Sequence, residues 1–213
     1  MAPQLRVLDH PLVAHRVAGL RSSTTDQAQF GRLASEITTF LAIEAFAQLP
    51  TEEVVIDTPV ARGVVAEQVT EEVLLIPVLR AGLGLIPALQ AMVPVTRVCH
   101  IGMRRDEVSF EAEIYLDGLP QELTGTKIVV CDPMLATGGS LIQVVDLLKA
   151  RGATDVTVLC LIASAPGVEA FGQLHPDVLV VTAALDEELD ERGYIVPGLG
   201  DAGDRLFGAP VRR

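Results

Sequence analysis

Lys127-Ile-Val-Val-Cys-Asp132 is an apolar run that ends in an acid, and Pro133-Met-Leu-Ala-Thr-Gly-Gly-Ser140 leads from it into a second apolar stretch, Leu141 to Arg151. If the first run is a strand and the second a helix, Thr137, Gly138, Gly139 and Ser140 present closely spaced backbone N–H groups at a helix N-terminus, where orphan donors and the helix dipole attract an anion. The two glycines let the main chain approach a phosphate without a Cβ in the way, and the hydroxyls of Thr137 and Ser140 add donors. The Gly-Lys-Ser/Thr ending of a Walker loop is missing, and so is the Gly-x-Gly-x-x-Gly dinucleotide fingerprint. Taken alone, Thr-Gly-Gly-Ser reads better as a plain strand-to-helix turn with Asp132 as a surface acid.

Two arginines are the next groups with chemistry to offer. Arg80 lies in Leu79-Arg-Ala-Gly-Leu-Gly84, a second glycine-bearing turn after an apolar run, and a fixed guanidinium there suits a pair of phosphate oxygens. An isolated arginine in an apolar loop is more often snorkelling or ion-paired, and Arg105, in Gly102-Met-Arg-Arg-Asp-Glu107, reads alone as solvated charge. Near the end, Tyr194-Ile-Val-Pro-Gly-Leu-Gly-Asp-Ala202 is short of side-chain donors and rich in turns, so it reads alone as a glycine-rich surface loop. A ligand held there would be recognised mostly by backbone N–H and C=O groups.

These groups need a frame. From Glu72 onward the pattern alternates apolar strand, glycine-containing loop and helix, which implies α/β architecture: an open, mostly parallel sheet with flanking helices. Strands are expected at Val73 to Val78, Thr96 to Met103, Lys127 to Asp132, Asp155 to Ala163 and Asp177 to Ala183, with helices at Leu83 to Met92, Ser140 to Arg151 and Pro166 to Leu174. In such a sheet ligands bind at the carboxyl ends of strands, which is where the Asp132 and Arg80 turns fall. Upstream, Phe30, Leu33, Ala34, Ile37, Phe40, Leu41 and Ala45 recur at helical spacing behind Thr25 or Asp26 as N-cap. Val54 to Val69 reads as a hairpin or projecting β-arm suited to packing on a second subunit. Arg104 to Thr124 is an excursion from the sheet, a flap or hood over the site, and Asp186 to Arg213 an irregular loop and tail. The expectation is a single domain over residues 1–213.

Bulk properties exclude other classes. With 16 Lys and Arg against 28 Asp and Glu, the net charge of -12 opposes nonspecific attraction to nucleic acid or anionic lipid. The mean hydropathy of +0.40 invites a membrane reading, but the most apolar stretch, Leu74 to Val95, carries Arg80 and is broken by Pro77, Gly82, Gly84 and Pro87. No run reaches the roughly 18 apolar residues of a spanning helix. Asp9, His10, His15 and Arg16 stand where an export signal needs an apolar core, so a cytoplasmic location is expected. Cys99, Cys131 and Cys160 are odd in number and set in apolar runs, as reduced core thiols would be, and no His partners stand at metal-ligand spacing.

The full string Asp132-Pro-Met-Leu-Ala-Thr-Gly-Gly-Ser140 resembles the phosphoribosyl pyrophosphate (PRPP) loop of the uracil phosphoribosyltransferases. His10-Pro-Leu-Val13, Leu79-Arg-Ala-Gly82 and Gly193-Tyr-Ile-Val-Pro-Gly-Leu-Gly-Asp-Ala-Gly-Asp204 resemble further blocks of that family, in the family's order and across nearly the whole chain. The resemblance implies a pentosyltransferase of pyrimidine salvage that joins uracil N1 to the phosphoribosyl group of PRPP, giving UMP and diphosphate. It implies PRPP contacts from Arg80, Arg105, Asp132, Pro133, Met134, Leu135, Ala136, Thr137, Gly138, Gly139, Ser140 and Asp201, with Asp132 and Arg105 catalytic. Uracil would lie against Ile195, Gly200, Asp201 and Ala202, and magnesium would be bound mainly through PRPP rather than by the protein. A homo-oligomer and GTP as an activator are implied as well. The chain departs from the family at Arg104, where a tyrosine is common, and at Ala112, where a proline is. Both fall in the expected flap and bear on its closure.

Rival readings make different demands. A PRPP-binding regulator acting on RNA needs a basic face, which the acidic balance disfavours. Orotate as the base calls for a cation in the base loop, and none stands between Ile195 and Ala202, whereas a purine base is harder to exclude.

Overall fold

The computed structural model describes residues 4–105 and 112–209. The chain opens on a short strand, β1 (Gln4–Val7), and a helix, α1 (Pro11–Arg21). Neither is expected from the sequence pattern: β1 is mostly exposed, and α1 buries only the thin stripe Val13, Val17 and Leu20. His10 caps α1 by accepting the Leu12 N–H on Nδ1 at 3.1 Å, and Pro11 takes the first position, where a missing N–H is harmless. The expected amphipathic helix is α2 (Gln27–Ala45), capped by Asp26 through the Gln29 N–H and buried along Phe30, Leu33, Ala34, Ile37 and Leu41. Each such large side chain contributes roughly 1.5–3 kcal/mol by leaving water. The arm follows as an antiparallel hairpin, β2 (Thr51–Ile56) with β3 (Val64–Val69), carrying Val55, Val60 and Val65 exposed.

The sheet is then built from β4 (Val73–Leu79), a 3-10 turn (Ala81–Leu85), α3 (Ile86–Met92), β5 (Thr96–Val98), β6 (Ile101–Arg105) and β7 (Ala112–Asp117). After these come β8 (Lys127–Cys131), β9 (Met134–Leu135), α4 (Gly139–Ala150), β10 (Asp155–Cys160), β11 (Ile162–Ser164), α5 (Ala165–Leu174) and β12 (Leu179–Thr182). The chain closes on β13 (Leu185–Asp186), β14 (Glu188–Leu189), β15 (Ile195–Val196) and α6 (Ala202–Phe207).

The main sheet runs β1-β12-β10-β8-β4-β6-β7, with β5 also on β4. Every pairing is parallel except β6 with β7. Strand alternation divides the core between its two faces. Val73 and Leu75 of β4 and Val129 and Cys131 of β8 join α1, α2 and α3, while Leu74, Ile76, Ile128 and Val130 join α4 and α5. After β4 the chain crosses to the first face through α3, and after the neighbouring β8 to the second through α4. The crevice outside the carboxyl ends of β4 and β8 is therefore a topological switch point, the place where open α/β sheets hold ligands.

Several expected elements are divided. Thr96 to Met103 is broken at Cys99 and His100 into β5 and β6, both lying on β4. Asp155 to Ala163 leaves the main sheet after Cys160, and β11 lies instead between β9 and β13 in a small parallel sheet. Lys127 to Asp132 stops as a strand at Cys131. The tail expected to be irregular contains β14, β15 and α6, which are too short to impose a period on the sequence. Among the described residues no helix is long and apolar enough to cross a membrane. Arg104 to Thr124, expected as an excursion from the sheet, instead supplies its edge, where β7 pairs antiparallel with β6, and residues 106–111 of the expected flap lie outside the described residues.

Candidate active site

The Asp132 to Ser140 turn is fixed from behind. Met134 and Leu135 pair in parallel register with Ile162 and Ala163. At the start of α5, the Ser164 hydroxyl donates to the Ala136 carbonyl at 2.6 Å and accepts the Gly167 N–H at 2.9 Å. Gly167 has no room for a side chain, because a Cβ there would lie 2.0 Å from the Ala136 oxygen. Gly138 enters α4 at φ 86, a conformation open to glycine and strained for other residues. Asp132, Met134, Leu135, Ala136, Thr137, Gly138, Gly139 and Ser140 thus line one cleft at the N-terminus of a helix of 12 residues. Pro133, expected in the set, is buried behind it and holds β11 by accepting the Leu161 and Ile162 N–H groups.

Asp132 is half-buried at the foot of this cleft, and burial pushes its carboxyl up to about 7, against a weaker downward pull from the Met134 N–H at 3.4 Å. Cys131 beneath it is fully buried, and burial, with the Asp132 charge as a second cause, raises its thiol pKa and leaves it an inert packing group. Cys160 is pushed up to about 12 by burial and behaves the same way.

Across the crevice, Arg80 follows β4 after a cis Leu79–Arg80 peptide. Its guanidinium is half exposed and reaches Asp204 at 3.4 Å. The 3-10 turn packs so tightly on the end of β8 that a Cβ on Gly82 would lie 2.2 Å from the Cys131 carbonyl oxygen. Arg80, Ala81, Met103, Asp132, Ser140 and Asp201 share one cavity wall, so residues far apart in sequence converge as expected. Arg105 closes β6 opposite Ala112, and its side chain, like that of Ala112, lies outside the described residues. Arg104 is occupied by Glu113 across the β6 and β7 pair, at 2.8 Å.

The loop from Arg192 to Asp201 is organised by Asp190, whose carboxylate accepts the N–H groups of Arg192 at 2.9 Å and Tyr194 at 2.8 Å. A second cavity opens beside it, lined by Met134, Ala136, Arg192, Gly193, Tyr194, Ile195 and Asp201. Ile195 and Asp201 are therefore brought together as expected. Gly200 and Ala202 are not part of this lining: Gly200 is exposed, and Ala202 is fully buried as the first residue of α6, which Asp201 caps through the Asp204 N–H at 2.8 Å. Arg192 and Tyr194 are lining residues that the sequence reading left out, and the signal for them was the Asp190-x-Arg-x-Tyr spacing of a carboxylate-capped turn. Arg192, which precedes the cation-free stretch from Ile195 to Ala202, also lines this cavity. Among the described residues no group of three or more His, Cys, Asp or Glu could hold a metal ion.

An acid and an anion-binding turn at the end of one central strand, faced by an arginine at the end of the next, suit a sugar phosphate with a charged leaving group, as the phosphoribosyltransferase class uses. The fold agrees: a hypoxanthine phosphoribosyltransferase from Trypanosoma cruzi superposes with a TM-score of 0.52 over 75% of each chain, at 13% identity. More particularly, the chain belongs to the uracil phosphoribosyltransferase family, whose model matches residues 7–209. It is 48% identical to the uracil phosphoribosyltransferase of Streptococcus agalactiae serotype III (strain NEM316) over 205 residues, 96% of this chain and 98% of that one. The enzyme of the same name from Streptococcus pneumoniae (strain ATCC BAA-255 / R6) is 46% identical, with 96% of this chain and 98% of that one covered. Among solved structures, the AQ2163 protein from Aquifex aeolicus superposes with a TM-score of 0.88 at 33% identity, covering 98% of this chain and 100% of that one.

Proposed function

We propose that the chain transfers the phosphoribosyl group of PRPP to N1 of uracil, releasing UMP and diphosphate in pyrimidine salvage. The observation that carries this is the sharing of walls: Met134 and Asp201 line both the base cavity and the cavity of Arg80 and Asp132, so base and sugar occupy one continuous crevice. The 5′-phosphate sits on the Thr137 to Ser140 turn, and the ribose hydroxyls lie at Asp132. Arg80 and Arg105 bind the diphosphate.

In this reading the bond from N1 to the anomeric carbon forms as the bond to the diphosphate oxygen breaks, and the N1 proton is lost. The sugar passes through a cation-like state, which the Asp132 carboxylate stabilises by charge and orientation while the arginines stabilise the leaving group. Magnesium, if it enters with the donor, would need little from the protein and would add to Arg80 and Arg105 in offsetting the diphosphate charge. The exposed valines of the arm support a homo-oligomer. The lack of a membrane-crossing helix among the described residues is compatible with a cytoplasmic location, and GTP activation rests on family resemblance alone.

Incubation with PRPP, magnesium and a panel of bases tests the proposal: UMP from uracil is the expected product, and product from another base but none from uracil overturns the specificity. Orotate belongs in the panel because the Arg192 guanidinium has no ion-pair partner among the described residues and lines the base cavity. No product with any base, despite tight PRPP binding, favours a regulator instead.

A further inference from the structure

The base loop borrows its shape from a distant part of the chain. Arg21, the last residue of α1, forks onto Asp186 with contacts of 2.6 and 2.7 Å. The same guanidinium donates to the Gly198 carbonyl at 2.9 Å, and the same carboxylate accepts the Gly198 N–H at 3.1 Å. Both backbone groups of Gly198 are thus tied to one ion pair, whose carboxylate is only 6% exposed. A bidentate, desolvated pair of this kind has one geometry, unlike a surface pair.

Its placement couples the two halves of the crevice. Asp186 lies on β13, which pairs with β11, and β11 pairs with β9 of the phosphate turn. A second guanidinium works beside the first. Arg205 of α6 donates to the Leu199 carbonyl at 2.9 Å and to Ser22 at 2.7 Å, with Leu20 and Thr25 as further acceptors, and it stacks over Phe30 at 4.3 Å. Consecutive carbonyls of the base loop, Gly198 and Leu199, are therefore held by arginines anchored at the corner between α1 and α2.

We infer that Arg21 and Asp186 are positioning residues for base recognition, fixing the backbone of the 192–201 loop against the phosphate turn so that a planar base meets preset donors and acceptors. Neither residue lines the crevice, and the inference rests on the reading of that loop as the base subsite. A site that reads its ligand through backbone groups has no side-chain rotamers with which to adjust, so its precision depends on what holds the loop.

The test compares the wild type with Arg21→Lys, which keeps the charge but loses the fork, and with Asp186→Asn, which keeps an acceptor for Gly198. Uracil is varied at saturating PRPP and PRPP at saturating uracil. Arg21→Lys is expected to raise the uracil KM roughly tenfold to a hundredfold, as misplacement far from the reacting atoms does, with the PRPP KM unchanged, and Asp186→Asn to act in the same direction more weakly. Equal changes in both KM values, or a lower Tm with neither KM moved, overturn the inference. If Arg21→Lys does not fold, the ratio of the two KM values in Asp186→Asn decides. Hydrogen exchange separates the two readings because it needs no turnover. A wild type that makes no UMP defeats the functional reading, and the inference then stands or falls on whether the variants speed exchange at residues 193–199 while sparing 137–142.

Discussion

The turn from Asp132 to Ser140 and the loop from Arg192 to Asp201 line adjoining cavities but are built on opposite plans. The turn from Asp132 to Ser140 is one uninterrupted stretch of strand, loop and helix, and its ligand-facing groups are fixed by residues adjacent in the same layer: Ser164 and Gly167 behind, α4 ahead. The loop from Arg192 to Asp201 has little regular structure: Asp190 holds its start locally, but its far side is tied at Gly198 to Arg21, 177 positions away. A site for a group common to many ligands can be local. On the proposed function, the part that distinguishes ligands is instead suspended from a distant helix.

The sharpest break in this symmetry is Asp132→Asn, which touches the sugar half alone. Turnover is expected to fall on the order of a hundredfold, the scale of removing one electrostatic stabiliser, while binding of a simple ribose phosphate weakens less. Steady-state kinetics beside ribose 5-phosphate binding measure the split, and equal turnover in the variant removes Asp132 from the mechanism. The complementary break is Gly198→Ala. Gly198 has φ 59 and a Cβ would lie 2.0 Å from the Ile195 carbonyl oxygen, so the loop must shift, at a cost of about 1–3 kcal/mol. Its uracil KM should rise with the PRPP KM nearly unchanged. Gly138→Ala should reverse that pattern: the left-handed cap at φ 86 costs about 1–2 kcal/mol with a side chain, and the loss should appear in the PRPP KM.

A further prediction concerns pH. Because burial raises the Asp132 carboxyl from 3.8 to about 7, the ligand-free fold binds this proton more tightly than the unfolded chain. The corresponding stability is fully present below pH 3.8 and is lost as pH rises through about 7. Asp132→Asn should therefore melt above the wild type at about pH 8, with the gap closing toward about pH 4. The acid limb that this group gives to kcat/KM for PRPP, near 7, should vanish with it.

Legibility followed the same division. The sheet, its flanking helices and the strand-to-helix turn at Asp132 to Ser140 are legible from period and glycine placement because each is a local pattern with a local cause, whereas the phosphate reading of that turn needs the family resemblance. Val73 to Val78 and Lys127 to Cys131 are apolar throughout since both faces are covered, and the structure keeps them as neighbouring strands. The breaks at Cys99 and Leu161 were invisible, because an apolar run that leaves one sheet for another stays apolar. Ile195 and Asp201 carry roles from the family block, in which Tyr194 stands without one, whereas Arg192 lies just before it. What brings Arg192 and Tyr194 to the cavity is a single carboxylate, Asp190, and nothing in hydrophobic period records a capped turn. Arg21 and Asp186 left no signature at all, since a pair 165 residues apart becomes visible only when the chain has folded.

The contact at Gly82 bears on the size of the ligand rather than its chemistry. With a Cβ excluded 2.2 Å from the Cys131 oxygen, the turn that carries Arg80 rests directly on the strand that presents Asp132. The missing methyl acts as a gauge block. It sets the span between Arg80 and Asp132, and any residue other than glycine would reset that span.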